Sequence, residues 1–347
     1  MKKILVTGHL GYVGAALLPA LRTAYQSAEI IGLDTGFFES DLWGQDKPPE
    51  SLLTRNVNSD IRAVDASLLT EVDAIIHLAS ISNDPIGQQF SAATKVINEE
   101  ATLSLAKMAQ HAGVKRFIFA SSCSIYGATD NELVDETATQ RPLTEYARSK
   151  VASEAALQKM ASTNFQVTNL RFGTACGYSS RLRLDLVVND FVATAIAKNK
   201  IELLSSGTAW RPFVHVNDMS KALCWAVQRP GPNSVTVNIG SDDMCLSIAQ
   251  LAEKVASHFP GSELIIPAGD VADNRSYKVS FAKFRAIAPD HQPSWCFDKT
   301  IEDLKARLEA ASFNDKLFRQ GPAMRLNKLK DLLHKGMLDS NLRWTHQ

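Results

Sequence analysis

The chain has 347 residues, 45% of them hydrophobic and 21% charged, which is ordinary globular composition and enough for one large domain plus a smaller one. Lys and Arg total 37, as do Asp and Glu, which excludes a global field that would recruit nucleic acid or an anionic membrane. The five cysteines (123, 176, 224, 245 and 296) include no CxxC pair, so neither a zinc site nor a disulfide framework is expected, and no other metal site is read. Such cysteines fit reduced thiols in a cytoplasmic protein. The N-terminal apolar run breaks at Thr7 and Gly8, too short for a signal peptide, and no stretch approaches the roughly 20 apolar residues of a membrane span.

In chain order, the first element is a strand over 3–8 (KILVTG), followed by a helix over 12–25. Gly8, Gly11 and Gly14 lie at this junction. Glycine there lets the backbone turn tightly and approach a phosphate, while the helix N-terminus presents its free N–H groups to a pyrophosphate. The second strand, 29–34, ends in Asp34, whose carboxylate can accept both ribose hydroxyls of a dinucleotide and repel a 2′-phosphate, favouring NAD over NADP. An irregular insert spans 35–51, where Pro48-Pro49 opposes regular structure.

Further strands are expected at 52–57, 73–79, 116–122 and 165–172, with helices at 62–70, 91–112 and 144–161. Near-continuous Ile, Val and Leu in the strands implies burial on both faces, a property of parallel sheets under helices. Repeated βα units therefore predict a doubly wound α/β fold of the Rossmann type. Past residue 173 the rhythm changes to helices over 184–199 and 216–228, short strands nearby, and two amphipathic helices around 246–259 and 300–310. This predicts a cofactor domain over 1–173 and a smaller α+β substrate lobe over 174–311 that crosses back to the sheet around 205–245. A basic, leucine-spaced tail over 312–347 is expected to pack as a helix.

The strand over 116–122 runs into ASSCSIYG, a knot of hydroxyls at the carboxyl end of a buried strand, where open parallel sheets bind ligands. Downstream, TEYARSK puts Tyr146 and Lys150 at i, i+4 on one helix face. A phenol of pKa ~10 is a poor base near neutrality, and a nearby ammonium together with a positive nicotinamide ring would favour the phenolate.

These features together resemble the short-chain dehydrogenase/reductase superfamily: the GxxGxxG spacing of Gly8, Gly11 and Gly14, the YxxxK pair and the DAIIHLAS segment. The chain length fits its extended, NAD-dependent nucleotide-sugar epimerase/dehydratase branch, over residues 1 to about 300. The resemblance implies that Tyr12, Val13, Asp60, Ile61, Leu78, Ala79, Ser80, Asn98 and Phe172 line the cofactor beside the glycines and Asp34. The glycine expected near position 101 is alanine. It implies a catalytic set of Ser122, counted back four residues from Tyr126, with Tyr146 and Lys150, the last two also touching NAD. Ser121 and Cys123 are read as structural, and so are His77 and His215 on their apolar strands.

For the substrate half, the resemblance implies that Arg211 in GTAWRPFVHVND clamps a diphosphate, with Arg275 a second candidate; a guanidinium forks onto phosphate oxygens. Arg181, Arg183 and Asn189 are candidate base or phosphate contacts, and Thr174 stands where many epimerases carry Asn. Ser124 is a candidate substrate contact and stands where 4,6-dehydratases and decarboxylases of the family usually place Glu. The expected function is an NAD-dependent nucleotide-sugar epimerase, oxidising one sugar carbon, C4 in this reading, and returning the hydride. The alternatives are an NAD(H)-dependent 4-ketoreductase or dehydrogenase and, after it, a 4,6-dehydratase; a non-catalytic NAD-sensing scaffold is argued against by the intact Ser122, Tyr146 and Lys150. A homodimer through 91–112 and 144–161 is implied by the family's four-helix bundle and by the frequency of two-fold interfaces.

Overall fold

The Ile/Val/Leu runs of the first half assemble into one seven-stranded parallel sheet, because strands apolar on both faces must be covered on both sides. The chain begins β1 (Lys3–Thr7), α1 (Tyr12–Ala24), β2 (Glu29–Asp34), β3 (Arg55–Asn58) and β4 (Ala74–His77). It continues through α2 (Asp84–Gln89), α3 (Ser91–Lys95), α4 (Ala101–His111), β5 (Arg116–Ser122), β6 (Ala128–Val134), α5 (Glu145–Met160) and β7 (Gln166–Phe172). The second half comprises β8 (Thr174–Cys176), α6 (Val187–Lys198), β9 (Lys200–Glu202), β10 (Trp210–His215), α7 (Val216–Gln228), β11 (Ser234–Ile239), β12 (Cys245–Ser247) and α8 (Ile248–Ala256). Last come β13 (Glu263–Ile265), β14 (Ser276–Val279), α9 (Ala282–Ile287), α10 (Phe297–Ala310) and α11 (Arg325–His334). This computed structural model describes residues 1–44, 47–267 and 275–345, apart from the side chains of 130 and 131.

The sheet order is β11-β7-β5-β4-β1-β2-β3. The chain winds outward from β1 to β3 and then returns to the other side with β4, so the strand order reverses between β1 and β4. That reversal opens a crevice at the carboxyl ends of the two strands, where the Gly8–Gly14 turn sits. Leu17, Leu18 and Leu21 of α1 and Ala222 and Leu223 of α7 cover one face. Leu105 of α4 and Leu157 of α5 cover the other. The expected doubly wound sheet is therefore present, and its return from the second half is made by α7 and β11.

Several elements differ from the sequence expectation. The helix over 62–70 is two single 3₁₀ turns, Ile61–Ala63 and Ala66–Leu69, because Asp60 and Asp65 each accept the amide two residues on and restart the chain. The helix over 91–112 is interrupted by a π-helical turn at Val96–Glu100. The third strand starts later than expected, at Arg55. Strand β6 was not foreseen: its sequence is polar, and it pairs in parallel with β14, far along the sequence, with Ser276 opposite Ala128 and Val279 opposite Val134. The 35–51 insert is irregular up to a 3₁₀ turn at Pro49–Leu52, with residues 45 and 46 outside the described residues.

Among the described residues of the expected helical tail, a 3₁₀ turn at Phe318–Gln320 packs on the second half of the chain, and a ten-residue helix, α11, packs against the first half. Leu329 and Leu342 are fully buried in the core that also holds Leu33, Phe37 and Ile61. Burial of that extent is worth about 1.5–3 kcal/mol per side chain, so the tail is part of the folded unit. Three side chains fasten it further. Arg62 donates to the Asn341 and Leu342 carbonyls at 2.6 and 2.9 Å, Trp344 donates its indole N–H to the Thr35 carbonyl at 2.6 Å, and Lys328 pairs with Asp41 at 3.0 Å.

Candidate active site

Between the sheet's carboxyl edge, the second-half lobe and the tail lies a cavity of about 800 Å³. One end of it is built by the turn after β1. Gly8 has φ +76°, and a Cβ there would stand 2.5 Å from the Ala79 amide nitrogen, so backbone meets backbone at this point with no room for a side chain. A Cβ at Gly14 would stand 2.5 Å from the His9 carbonyl oxygen, so glycine also sets how closely α1 packs beneath the loop. Gly11 caps α1 without a side-chain hydrogen bond, and no acidic residue occupies the first turn, leaving its N–H groups free for an anion. Asp34 accepts from the Leu10 and Gly36 amides at 3.0 and 2.9 Å, so its carboxylate both reaches the cavity and braces the glycine loop.

Tyr12, Val13, Asp60, Ile61, Leu78, Ala79, Ser80 and Phe172 also line the cavity, so these residues fit an extended dinucleotide laid across β1, β2 and β4. Burial works to raise the Asp60 carboxyl, but the Arg62 guanidinium clamped on it holds it below the usual range. Asn98 departs from the expectation: it is buried behind the wall, accepts from the Ile81 amide at 2.8 Å and donates to the Ile81 carbonyl at 2.9 Å. It therefore shapes the loop after β4 and does not face the cavity.

The hydroxyl knot ends β5 as its position suggested. Ser122 accepts from the Ser124 amide at 3.1 Å and starts the turn Cys123–Tyr126. Ser121 also borders the cavity, but its hydroxyl donates to Glu154, which pairs with Arg171 at 2.7 Å. Cys123 is buried outside the cavity with its thiol on the Arg171 carbonyl, and burial raises its pKa. His77 bridges Thr7 and Thr102 at 2.7 Å each, and burial pushes it down to about 3, a neutral structural ring. His215 caps α7 and stacks on Trp295, ring centroids 3.7 Å apart; burial pushes it, too, down to about 3.

Thr144 caps α5 by accepting the Ala147 amide, which fixes the helix start and sends Tyr146 and Lys150 into the cavity beside Ser122. Lys150 Nζ lies 5.5 Å from the Tyr146 ring centroid and 4.7 Å from that of Phe119. Burial pushes the Tyr146 phenol up to about 12 while the Ser122 hydroxyl beside it pulls the other way. Burial also pushes the Lys150 ammonium down to about 7, against the field of Glu154. A phenol, a hydroxyl and an ammonium that titrates near neutrality thus converge on one spot, an arrangement able to move a proton to and from a substrate hydroxyl.

Of the substrate candidates, Ser124, Thr174, Arg183, Arg211 and Arg275 line the cavity. Ser124 Oγ is buried and accepts or donates no hydrogen bond among the described residues. The Arg211 guanidinium lies 5.1 Å from the Tyr277 ring centroid and donates to the Trp210 carbonyl at 2.8 Å. Arg275 pairs with Asp84; the residues just before it, 268–274, lie outside the described residues. Arg181 and Asn189 are not brought to the cavity. Arg181 is fully buried on Glu50, two contacts of 2.9 Å, tying the 35–51 insert to the lobe. Asn189 grips the Gly177 amide and carbonyl and the Arg183 carbonyl, holding the loop from behind.

Sequence reasoning missed Asp84, Tyr277, Asp185 and the tail residues Arg319 and Arg325, all of which line the cavity. Asp84 had a local signal, since Asn83 followed by Asp-Pro reads as a helix start in the loop after a strand, and Asn83 does accept the Ile86 amide at 2.9 Å. The others depend on contacts far apart in sequence. Among the described residues every carboxylate lining the cavity already has a partner. Asp34 holds the loop amides and Asp60 holds Arg62. Asp84 accepts from Thr144 at 2.6 Å and pairs with Arg275, and Asp185 holds Arg183 and Asn83. Asp190 pairs with Arg319 and Glu202 with Lys200.

Comparison with known proteins gives the family and the fold. A family profile described as "NAD dependent epimerase/dehydratase family" matches residues 4–240. The chain is 26% identical over 264 residues to an uncharacterized UDP-glucose epimerase of Bacillus subtilis, covering 73% of this chain and 82% of the relative. It is 24% identical over 259 residues to the dTDP-D-glucose 4,6-dehydratase of Homo sapiens, covering 73% of each. Its fold matches the UDP-glucuronic acid 4-epimerase of Bacillus cereus, solved with UDP-glucuronic acid and NAD, at a TM-score of 0.73 and 21% identity, over 89% of this chain and 99% of that one.

Proposed function

Given that the chain belongs to the NAD-dependent epimerase/dehydratase family, and so is an enzyme whose cofactor is NAD, we propose that it epimerises a nucleotide sugar, at C4, through transient oxidation. The chemistry that NAD supplies when bound is reversible hydride acceptance at the nicotinamide. Tyr146 Oη takes the proton from the sugar hydroxyl and later returns it, with Ser122 Oγ holding the same oxygen in place. Lys150 places positive charge near the phenol and so favours the phenolate. Arg211 and Arg275 take the substrate diphosphate, and Thr174 and the unpartnered Ser124 hydroxyl contact the sugar.

The observation that carries epimerisation over dehydration is the committed state of the cavity's carboxylates. Eliminating water needs an acid and a base beyond the tyrosine. Position 124 is serine, and the nearby Asp84 is held by Thr144 and Arg275. The tail fastened across the loops that follow β2 and β3 favours a cofactor that stays bound between turnovers, which suits an epimerase better than a reductase that must exchange NADH. A homodimer formed through α4 and α5 belongs to the same reading.

The test is to incubate the purified protein with UDP-, GDP-, dTDP- and CDP-sugars and to read products by mass and NMR. UDP-sugars come first, because relatives act on them. The expected product has unchanged mass and inverted configuration at one carbon, with no NADH consumed and no solvent deuterium at carbon. Consumption of NADH one-for-one would replace this reading by a ketoreductase, and loss of the mass of water by a dehydratase.

A further inference from the structure

Arg325 opens α11, is 7% exposed and lines the cavity. Its guanidinium carbon lies 3.8 Å from the centroid of the Phe38 ring, in the segment that follows Asp34. Among the described residues its side chain makes no hydrogen bond and no ion pair. The acids whose fields reach it are Asp185, Asp41 and Asp34. Each is already committed: Asp185 to Arg183 and Asn83, Asp41 to Lys328, and Asp34 to two loop amides. The Arg183 guanidinium also faces it and repels it. Burial, with Arg183 adding to it, pushes Arg325 down only to about 10, so it stays charged at neutral pH. A buried guanidinium with five donors whose one contact among the described residues is stacking on Phe38 is a cation lacking its anion.

The glycine loop, for its part, offers a diphosphate amides and no cation. It contains no Lys or Arg, and His9 within it is fully buried, with burial lowering its pKa despite Asp34. We propose that Arg325 is a ligand of the cofactor diphosphate, so that the C-terminal segment supplies the positive charge which the glycine loop lacks. A planar guanidinium matches two phosphate oxygens at once, and its stacking on Phe38 holds that plane toward the cavity. The contacts of Arg62, Trp344 and Lys328 hold α11 against the loops around Asp34, the residue read as the reader of the adenosine ribose. This assignment rests on the dinucleotide site and is independent of which sugar reaction the enzyme performs.

The experiment compares the full-length protein with Arg325→Met and Arg325→Lys by titration calorimetry against adenosine, ADP, NAD and UDP, at low and high salt. Arg325→Met is expected to weaken ADP and NAD by at least about tenfold, to leave adenosine and UDP unchanged, and to flatten the salt dependence of NAD binding. Arg325→Lys is expected to recover part of the loss. Because the variant removes an unpaired buried charge, the ligand-free melting temperature should stay equal or rise, and a lower one would mark a structural role and overturn the proposal. So would unchanged ADP and NAD affinity, a loss shared by adenosine, or a loss confined to UDP, which would place the arginine at the substrate diphosphate. Activity on sugars enters none of these readouts, so failure here is separable from failure of the epimerase reading.

Discussion

Lys150 Nζ donates a 2.8 Å hydrogen bond to the Ala120 carbonyl, tying the helix that carries Tyr146 to the strand that carries Ser122. The partner is neutral, so the ammonium is buried at a net cost, and its pKa falls from 10.5 to about 7. Between those values the unfolded chain binds more protons than the folded one, so this group makes stability rise with pH across the window from about 7 to 10.5. Below about 7 the cost is fully present. Lys150→Met should therefore raise the melting temperature of the ligand-free protein more near pH 6 than near pH 10. An equal shift at both values would show that Lys150 is not buried as a depressed ammonium.

Tyr146→Phe removes one oxygen and leaves the ring in its packing. NAD affinity should be retained while turnover falls by about 10²–10⁴-fold. Stopped assays on the best sugar, with calorimetry of NAD binding, check both halves, and turnover near the parent's would remove Tyr146 from the mechanism.

Asp34 should make NAD bind far more tightly than NADP. Since its carboxylate also accepts the Leu10 and Gly36 amides, Asp34→Ala would loosen the loop as well as remove the charge. Asp34→Asn keeps an acceptor and should narrow the NAD/NADP gap chiefly by improving NADP. Calorimetry with both cofactors reads this, and a parent protein that binds NADP as well as NAD contradicts it.

Arg181→Met leaves Glu50 without its partner in a mostly buried place. Stability should fall on the order of 3 kcal/mol in denaturant titration, with the substrate KM unchanged because Arg181 does not reach the cavity. Pairing it with Glu50→Leu should restore most of the loss. A raised KM in a stable variant would return Arg181 to the substrate site.

Light scattering at micromolar concentration should give the mass of a homodimer. A monomer would remove α4 and α5 from any interface.

What the sequence alone determined was whatever depends on neighbours along the chain. The apolar runs dictated a parallel sheet, the Gly8–Gly14 spacing placed a tight glycine turn between β1 and α1, and i, i+4 spacing put Tyr146 and Lys150 on one helix face. The end of β5 was legible for the same reason, since a hydroxyl that caps the next turn is a local event, as Ser122 and the Ser124 amide show. Tertiary structure alone decided the remainder. Arg181 and Arg211 look alike in sequence, yet one closes on Glu50, 131 positions away, and the other faces the cavity. Asn98 turned inward to hold Ile81, and polar β6 became a strand only because β14 reached it. The tail's leucines indicated burial without saying against what, and packing in one core with Leu33 and Phe37 placed Leu329 in the wall of the cavity. Periodicity records which face of an element is apolar, whereas the partner of a buried charge is set by chain segments that meet only after folding.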